Sequence, residues 1–147
     1  QLARQVTDEQ LGSLREILVN QRNFLDRAEI RSFAEADLAF HRTLVESLGN
    51  PFLGLLAEGF GGWLITPLYA SMQVQRQSER SYNAHMAVLK ALEERNAELA
   101  EQAMRSHLEE MRGIYLVDLM AARTGEGGEE FAPLEPALLP DEQEFLP

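Results

Sequence analysis

The sequence predicts an all-α fold, an antiparallel bundle of about six helices. Apolar residues recur at three- and four-residue spacing through residues 7–122, which is typical of helices that bury one face. No stretch combines the strict alternation and hairpin turns that strands require. At 147 residues the chain has the size of a single domain, so we expect these helices to share one core.

Composition excludes several classes of protein. There is no cysteine, so neither a disulfide framework nor a thiolate metal site is possible. The net charge of −11 has the wrong sign for binding DNA phosphates, and no apolar run is long enough to cross a membrane. The chain starts at Gln1 and no leader peptide follows, so we expect a cytoplasmic protein, excised from something longer.

Capping signals place the first two helices. Thr7 followed by Gln10 forms a capping box, and an apolar stripe follows it. Ser32 and Glu35 repeat this signature for a second helix, and Gly49 is placed to end it. The first stripe consists of Leu11, Leu14, Ile17, Leu18, Phe24 and Leu25, and the second of Phe33, Phe40, Leu44 and Leu48.

The remaining helices follow from further caps. Asn50 and Pro51 begin a strongly apolar helix, in which three glycines and Pro67 predict a kink or a break. The next two helices form an antiparallel hairpin that turns at Arg95 and Asn96. Residues 1–122 are thus the predicted helical domain, and 123–147 an acidic tail rich in proline and glycine, whose apolar residues can still dock on a hydrophobic surface.

Four polar side chains point into the predicted core. Asp37 and His41 are four residues apart on the apolar face of their helix. His85 lies 11 residues before Asn96 and His107 lies 11 after it, so the hairpin places the two imidazoles opposite each other. Both also share their faces with apolar residues. Every histidine of the chain therefore enters one core.

A divalent metal explains this cluster economically. Burying a carboxylate beside three imidazoles is costly, and a cation compensates all four groups at once. Such a set suits Zn²⁺ first, with Ni²⁺, Mn²⁺ or Fe²⁺ as alternatives, and leaves one or two positions for water or an anion. Taken singly, each histidine is more typical of a hydrogen-bonded core residue, and Asp37 could simply favour the helix dipole.

Two arginines are candidate contacts for an anion bound at the metal. Arg76 and Arg80 could reach an anion at the metal, although such residues more commonly lie at the solvated surface.

Two other functions are compatible with the same residues. A metal-dependent hydrolase would use the same His₃Asp set, but no motif supplies a general base. A purely structural metal would need a closed site with no cavity beside it.

At these residues the sequence resembles the FCD domain, the ligand-sensing C-terminal half of GntR-type transcription regulators of the FadR subfamily. Asp37 to His41 resembles the family motif D-x-x-F-H, and Ser47 to Pro51 resembles the turn that follows it. Two later blocks, around His85 and His107, resemble the last two blocks of the family. The resemblance covers about residues 1–122.

The resemblance implies a function as well as a fold. Metal-binding members use the positions of Asp37, His41, His85 and His107 as ligands, and the metal with its pocket holds a small organic acid. Members are usually homodimers, and effector binding alters the operator affinity of an N-terminal winged helix. That winged helix is not part of this chain. The resemblance therefore implies a sensor domain and not an enzyme.

Overall fold

The computed structural model describes residues 2–73 and 76–124, without the side chains of residues 60, 62–64, 66–67 and 114–124. In this part of the chain every regular element is a helix and there is no strand, as the sequence predicts. The acidic tail falls outside the described residues beyond Thr124. The six helices are α1 (Leu2–Gln5), α2 (Asp8–Asp26), α3 (Ile30–Glu46), α4 (Pro51–Met72), α5 (Gln77–Glu93) and α6 (Ala97–Thr124).

Two helical hairpins form the body of the bundle. Helix α2 packs on α3 and α5 on α6, while α2 also packs on α5 and α3 on α4. Short connections make the helices of each hairpin antiparallel neighbours. Buried side chains from these helices form two apolar clusters: Leu11, Leu14, Leu18, Phe40, Leu44, Val88, Leu89 and Leu92 in the first, and Phe33, Ala34, Leu68, Met72 and Met111 in the second.

The first predicted helix start is confirmed, and the second is wrong. The Thr7 hydroxyl accepts from the Gln10 N–H at 3.1 Å, and the Thr7 N–H donates to Gln10 Oε1 at 2.9 Å. Helix α3 begins at Ile30, so Ser32 lies within its first turn and is not its cap. The reason is the turn before it. Ala28 takes a left-handed backbone conformation and the Glu29 N–H donates to the Phe24 carbonyl, which leads the chain directly into α3.

The cap on Thr7 supports a first prediction. Thr7→Ala removes the acceptor for the Gln10 N–H, and we expect the free energy of unfolding to fall by about 1 kcal/mol. Ser13→Ala is the matched control, because Ser13 is exposed inside the same helix, where alanine is well tolerated. Urea unfolding followed by circular dichroism measures both. Equal stability of the two variants would contradict a stabilising cap.

Helix α4 is continuous, so of the kink or break predicted from its glycines and Pro67, the break is wrong. Asn50 Oδ1 accepts from the Phe52 N–H at 3.0 Å, and Pro51 occupies the first turn, as predicted. From there the helix runs over 22 residues to Met72. An interior glycine costs about 1 kcal/mol and a proline about 3 kcal/mol, which packing against α3 can offset.

The turn between α5 and α6 sets the register of the hairpin, as predicted. Arg95 takes a left-handed conformation, and the Asn96 N–H donates to the Ala91 carbonyl at 2.9 Å, which closes α5. Asn96 Oδ1 then accepts from the Leu99 N–H at 3.1 Å and starts α6. This turn places His85 and His107 at the same level of the bundle.

Candidate metal centre

Three histidines from three helices meet in the interior of the bundle. His41 lies on α3, His85 on α5 and His107 on α6. Their Nε2 atoms form a nearly equilateral triangle: His85 lies 3.3 Å from His41 and 3.3 Å from His107, and His107 lies 3.2 Å from His41. The predicted meeting of the three imidazoles is thus present in the fold.

Asp37 borders this triangle. Its Oδ1 lies 3.6 Å from His85 Nε2, and its Oδ2 lies 3.7 Å from His41 Nε2. The carboxylate is buried, and Oδ1 accepts from the Ser81 hydroxyl at 2.6 Å and from Gln21 Nε2 at 3.4 Å. Asp37 therefore lies beside the histidines, as predicted, but its oxygens are farther from the Nε2 atoms than these atoms are from one another.

Gln21 and Ser81 are two residues of this site that the sequence analysis missed. Gln21 is fully buried on α2, and Ser81 is buried one turn before His85 on α5. A signal for Gln21 existed, because it lies three residues after Leu18 and seven after Leu14 on the apolar stripe of α2. A polar side chain at such a position needs a buried partner.

The imidazole of His85 is held on both sides. Its Nδ1 lies 3.1 Å from Gln21 Oε1, and its ring stacks on Phe40 with 4.2 Å between the ring centroids. The side chain is completely buried. The ring therefore has a fixed orientation, with Nε2 directed at the other two histidines.

Burial sets the ionisation of the four groups. It lowers the pKa of His41 to about 4 and that of His85 well below its ordinary value, the other two imidazoles adding to the shift of His85. Burial also lowers the pKa of His107, with a further contribution from His41. The pKa of Asp37 rises to about 6 for the same reason, although the hydrogen bond from Ser81 opposes this rise. At neutral pH the site thus consists of three neutral imidazoles and one carboxylate.

The donor set fits a divalent metal. Zinc binds imidazole nitrogen at about 2.0–2.1 Å, which places tetrahedral ligand nitrogens about 3.4 Å apart. The observed triangle has sides of 3.2–3.3 Å, and neutral imidazoles are the form that binds metal. Among the described residues, only these three histidines form a metal-ligating cluster of this kind. They could hold a metal, with Asp37 beside them.

A cavity of about 1120 Å³ reaches the site from the side of His41. His41 lines its wall with a side chain that is 29% exposed, whereas His85 and His107 are buried. The rest of the wall comes from α1, α3, α5 and α6. It is mainly apolar, through Leu2, Ala3, Leu44, Val45, Leu48, Val88, Leu92, Ala97, Ala100, Met104 and Leu108, with the polar residues Arg4, Gln5, Glu98 and Glu101.

Arg76 and Arg80, predicted to contact an anion at the metal, are not among the described residues that line this cavity. Arg76 is exposed immediately before α5. Arg80 is exposed as well, and its Nη1 lies 3.6 Å from Glu110 Oε1. Their role toward an effector stays a prediction.

Comparison with known proteins places the chain in a family. The family model of the FCD domain matches residues 1–110, which include all four candidate ligands. The chain belongs to the FCD domain family. The resemblance to the FCD domain stated from the sequence motifs is therefore confirmed, and this domain accounts for α1 to α5 and the first half of α6.

The curated relatives of this FCD domain are transcriptional repressors of the GntR family, not enzymes. The chain is 32% identical over 109 residues to the HTH-type transcriptional repressor NanR of Cronobacter sakazakii, a match that covers 72% of this chain and 41% of the relative. The NanR of Klebsiella aerogenes is 30% identical over 116 residues, which are 77% of this chain and 44% of the relative. The chain thus spans about two fifths of the length of these relatives.

The described residues contain no helix with the length and apolar character needed to cross a bilayer.

Acidification is expected to destabilise the metal-free FCD domain. A histidine with a folded pKa below its unfolded value stabilises the fold above about pH 6.5, and this contribution is lost as the pH falls toward the folded pKa, about 4 for His41. Asp37 acts in the opposite direction between about pH 6 and pH 4, because its folded pKa is raised. Three histidines outweigh one carboxyl group, so the free energy of unfolding should decrease from pH 7 to pH 5.

Urea unfolding in the presence of a chelator, repeated across this pH range, measures the effect. His41→Gln should show a shallower dependence, because one of the three titrating imidazoles is gone. Stability that is constant or increases between pH 7 and pH 5 would show that the histidines do not dominate this linkage.

Proposed function

We propose that this chain is the effector-sensing domain of a bacterial GntR-type transcription regulator of the FadR subfamily. In this proposal Asp37, His41, His85 and His107 hold a divalent metal, Zn²⁺ first, and a small carboxylate binds at its open position. The observation that carries the proposal is the triangle of three Nε2 atoms, one of whose histidines, His41, lines a large cavity. A closed structural site would have no such room beside it.

The chain's own residues support each part of this role. Burial keeps the imidazoles neutral and able to donate electron pairs, and Asp37 adds a negative charge that reduces the charge of a bound cation. A bound metal would supply a Lewis-acid position for a carboxylate oxygen. His41 lies at the cavity wall, and in this proposal the open position faces the cavity, whose apolar wall would exclude water from the rest of a ligand.

Contacts of the effector with Arg76 and Arg80 remain part of the proposal. Both cations lie outside the described cavity wall, and Arg80 already faces Glu110. A direct contact would require Arg76, which precedes α5, and Arg80, in the first turn of α5, to approach the cavity when effector binds. Arg80→Gln tests this, because effector affinity should then fall while metal content stays unchanged.

We also propose that the full regulator works as a cytoplasmic homodimer, with DNA bound through an N-terminal winged helix outside this chain. Four exposed apolar residues at the start of α4 support association with a second copy, namely Phe52, Leu53, Leu55 and Leu56. Effector binding would bias helix packing and so the spacing of the DNA-binding domains. Sedimentation velocity should give a dimer for the wild type and a smaller species for Leu55→Asp, and a wild-type monomer would contradict this part.

The experiment that tests the sensing function has two stages. The domain is purified without a histidine tag, its metal content is measured by elemental analysis, and thermal shifts are recorded with a panel of small carboxylates, with and without a chelator. We expect about one metal per chain and a shift that the chelator abolishes. In the second stage, the acid that binds is added to the full-length protein on its operator DNA.

Two results would contradict the proposal. A wild-type domain that carries no metal, and gains none when metal is added, would remove the metal-dependent part. Equal operator affinity of the full-length protein with and without every acid that binds would remove the regulatory part.

A further inference from the structure

We propose that Gln21 is a positioning residue of this centre, whose amide fixes the tautomer of His85 so that Nε2 carries a free electron pair. The inference deepens the proposed function, because it concerns the same site. It starts from two contacts of one buried side chain: Gln21 Nε2 lies 3.4 Å from Asp37 Oδ1, and Gln21 Oε1 lies 3.1 Å from His85 Nδ1.

The Asp37 carboxylate determines which way the amide faces. A carboxylate oxygen only accepts hydrogen bonds, so the NH₂ group of Gln21 must be the one directed at Asp37. The flipped amide would place two oxygens against each other in a buried site, an unfavourable arrangement that no hydrogen bond compensates. The amide oxygen of Gln21 is therefore the atom directed at His85.

The amide oxygen in turn determines the tautomer of His85. Because Gln21 Oε1 can only accept, His85 Nδ1 must carry the hydrogen and donate it. A neutral imidazole has one N–H, so Nε2 is left without a hydrogen. This atom is the one that lies 3.3 Å from the Nε2 atoms of both His41 and His107.

Gln21 thus connects two candidate ligands through hydrogen bonds of opposite sense. It donates to Asp37 and accepts from His85, while Ser81 gives Asp37 a second donor at 2.6 Å. Outer groups of this kind typically change metal affinity by about 10–100-fold when they are removed. Gln21 lies on α2, which carries none of the four ligands, so the contact also ties a fourth helix to the centre.

The test compares Gln21→Met with the wild type. Methionine has a similar length and fills the same space without either hydrogen bond. The matched control is Gln102→Met, because Gln102 is an exposed residue of α6. Two readouts are used: the tautomer of His85 in metal-free protein, from long-range ¹H–¹⁵N spectra, and the affinity and visible spectrum of bound Co²⁺.

We expect wild type and Gln102→Met to hold His85 with the hydrogen on Nδ1. Gln21→Met should lose this fixed tautomer, bind Co²⁺ about 10–100-fold more weakly and show an altered Co²⁺ spectrum. A merely structural role would lower the unfolding temperature and leave the tautomer in place. Such a result would overturn the proposal, as would a wild-type His85 with its hydrogen on Nε2.

The failure of this inference can be told apart from the failure of the proposed function. If wild type and Gln21→Met bind Co²⁺ equally well, Gln21 has no positioning role and the metal centre stands. If wild type binds no metal, the proposed function falls. The spectra of metal-free protein still decide whether Gln21 sets the tautomer, so the inference is then upheld or rejected on that readout.

Discussion

His85→Ala is expected to abolish stoichiometric metal binding. His85 touches both other histidines of the triangle and is completely buried, so no solvent-exposed group can replace it. The variant also leaves Gln21 Oε1 without its partner. The affinity for the metal should therefore fall by more than the ~10–100-fold that is typical of removing a group that only hydrogen-bonds to a ligand. His107→Ala should have the same effect, because His107 closes the opposite side of the triangle.

Elemental analysis and competition with a chromophoric chelator measure this loss. Met86→Ala is the matched control, because Met86 is the next residue on α5 and is 40% exposed. Circular dichroism establishes whether each variant is folded. A folded His85→Ala protein with one metal per chain would contradict the proposed ligand set.

The second large effect is expected on stability, when the side chain of Phe40 is removed. Phe40 packs against the imidazole of His85. Phe40 is completely buried in the first apolar cluster, and its ring stacks on that of His85 with 4.2 Å between the ring centroids and 19° between the ring planes. Phe40→Ala removes this contact and leaves a cavity in the core. We expect the free energy of unfolding to fall by about 3–5 kcal/mol, as for other buried phenylalanines.

Val19→Ala provides the comparison, because an apolar side chain is shortened at a position that is 60% exposed and lies outside the proposed sites. Its cost should stay within about 0.5 kcal/mol. Both variants are unfolded with urea in the presence of a chelator, so that metal binding does not contribute to the difference in the free energy of unfolding. The measurement is repeated at a low and a high protein concentration, because a contribution from self-association would depend on concentration. Similar losses for the two variants would show that Phe40 is not part of a tightly packed core.

The sequence predicts the candidate site better than it predicts the helix ends. Helical spacing places Asp37 beside His41, and equal distances from Asn96 place His85 opposite His107, because both relations depend only on regular helix geometry. The start of α3 could not be found in this way. It depends on the left-handed turn at Ala28, a conformation that the residue type does not favour.

Other features depend on contacts between distant parts of the chain. Helix α4 is continuous despite its glycines and proline, and it packs on α3, a stabilising contribution that the local sequence does not contain. The partnership of Gln21 with His85 joins residues 64 positions apart. The cavity beside His41 is formed by four helices, so its existence and size follow only from their relative positions.

The unequal exposure of the three histidines has a kinetic consequence. Only His41 reaches the cavity, while His85 and His107 are closed off from solvent, so an ion would enter and leave through the space that the effector is proposed to fill. Release would then be ordered: the acid must depart before the ion can. A saturating effector should therefore slow the escape of metal to a chelator, whatever its influence on affinity at equilibrium.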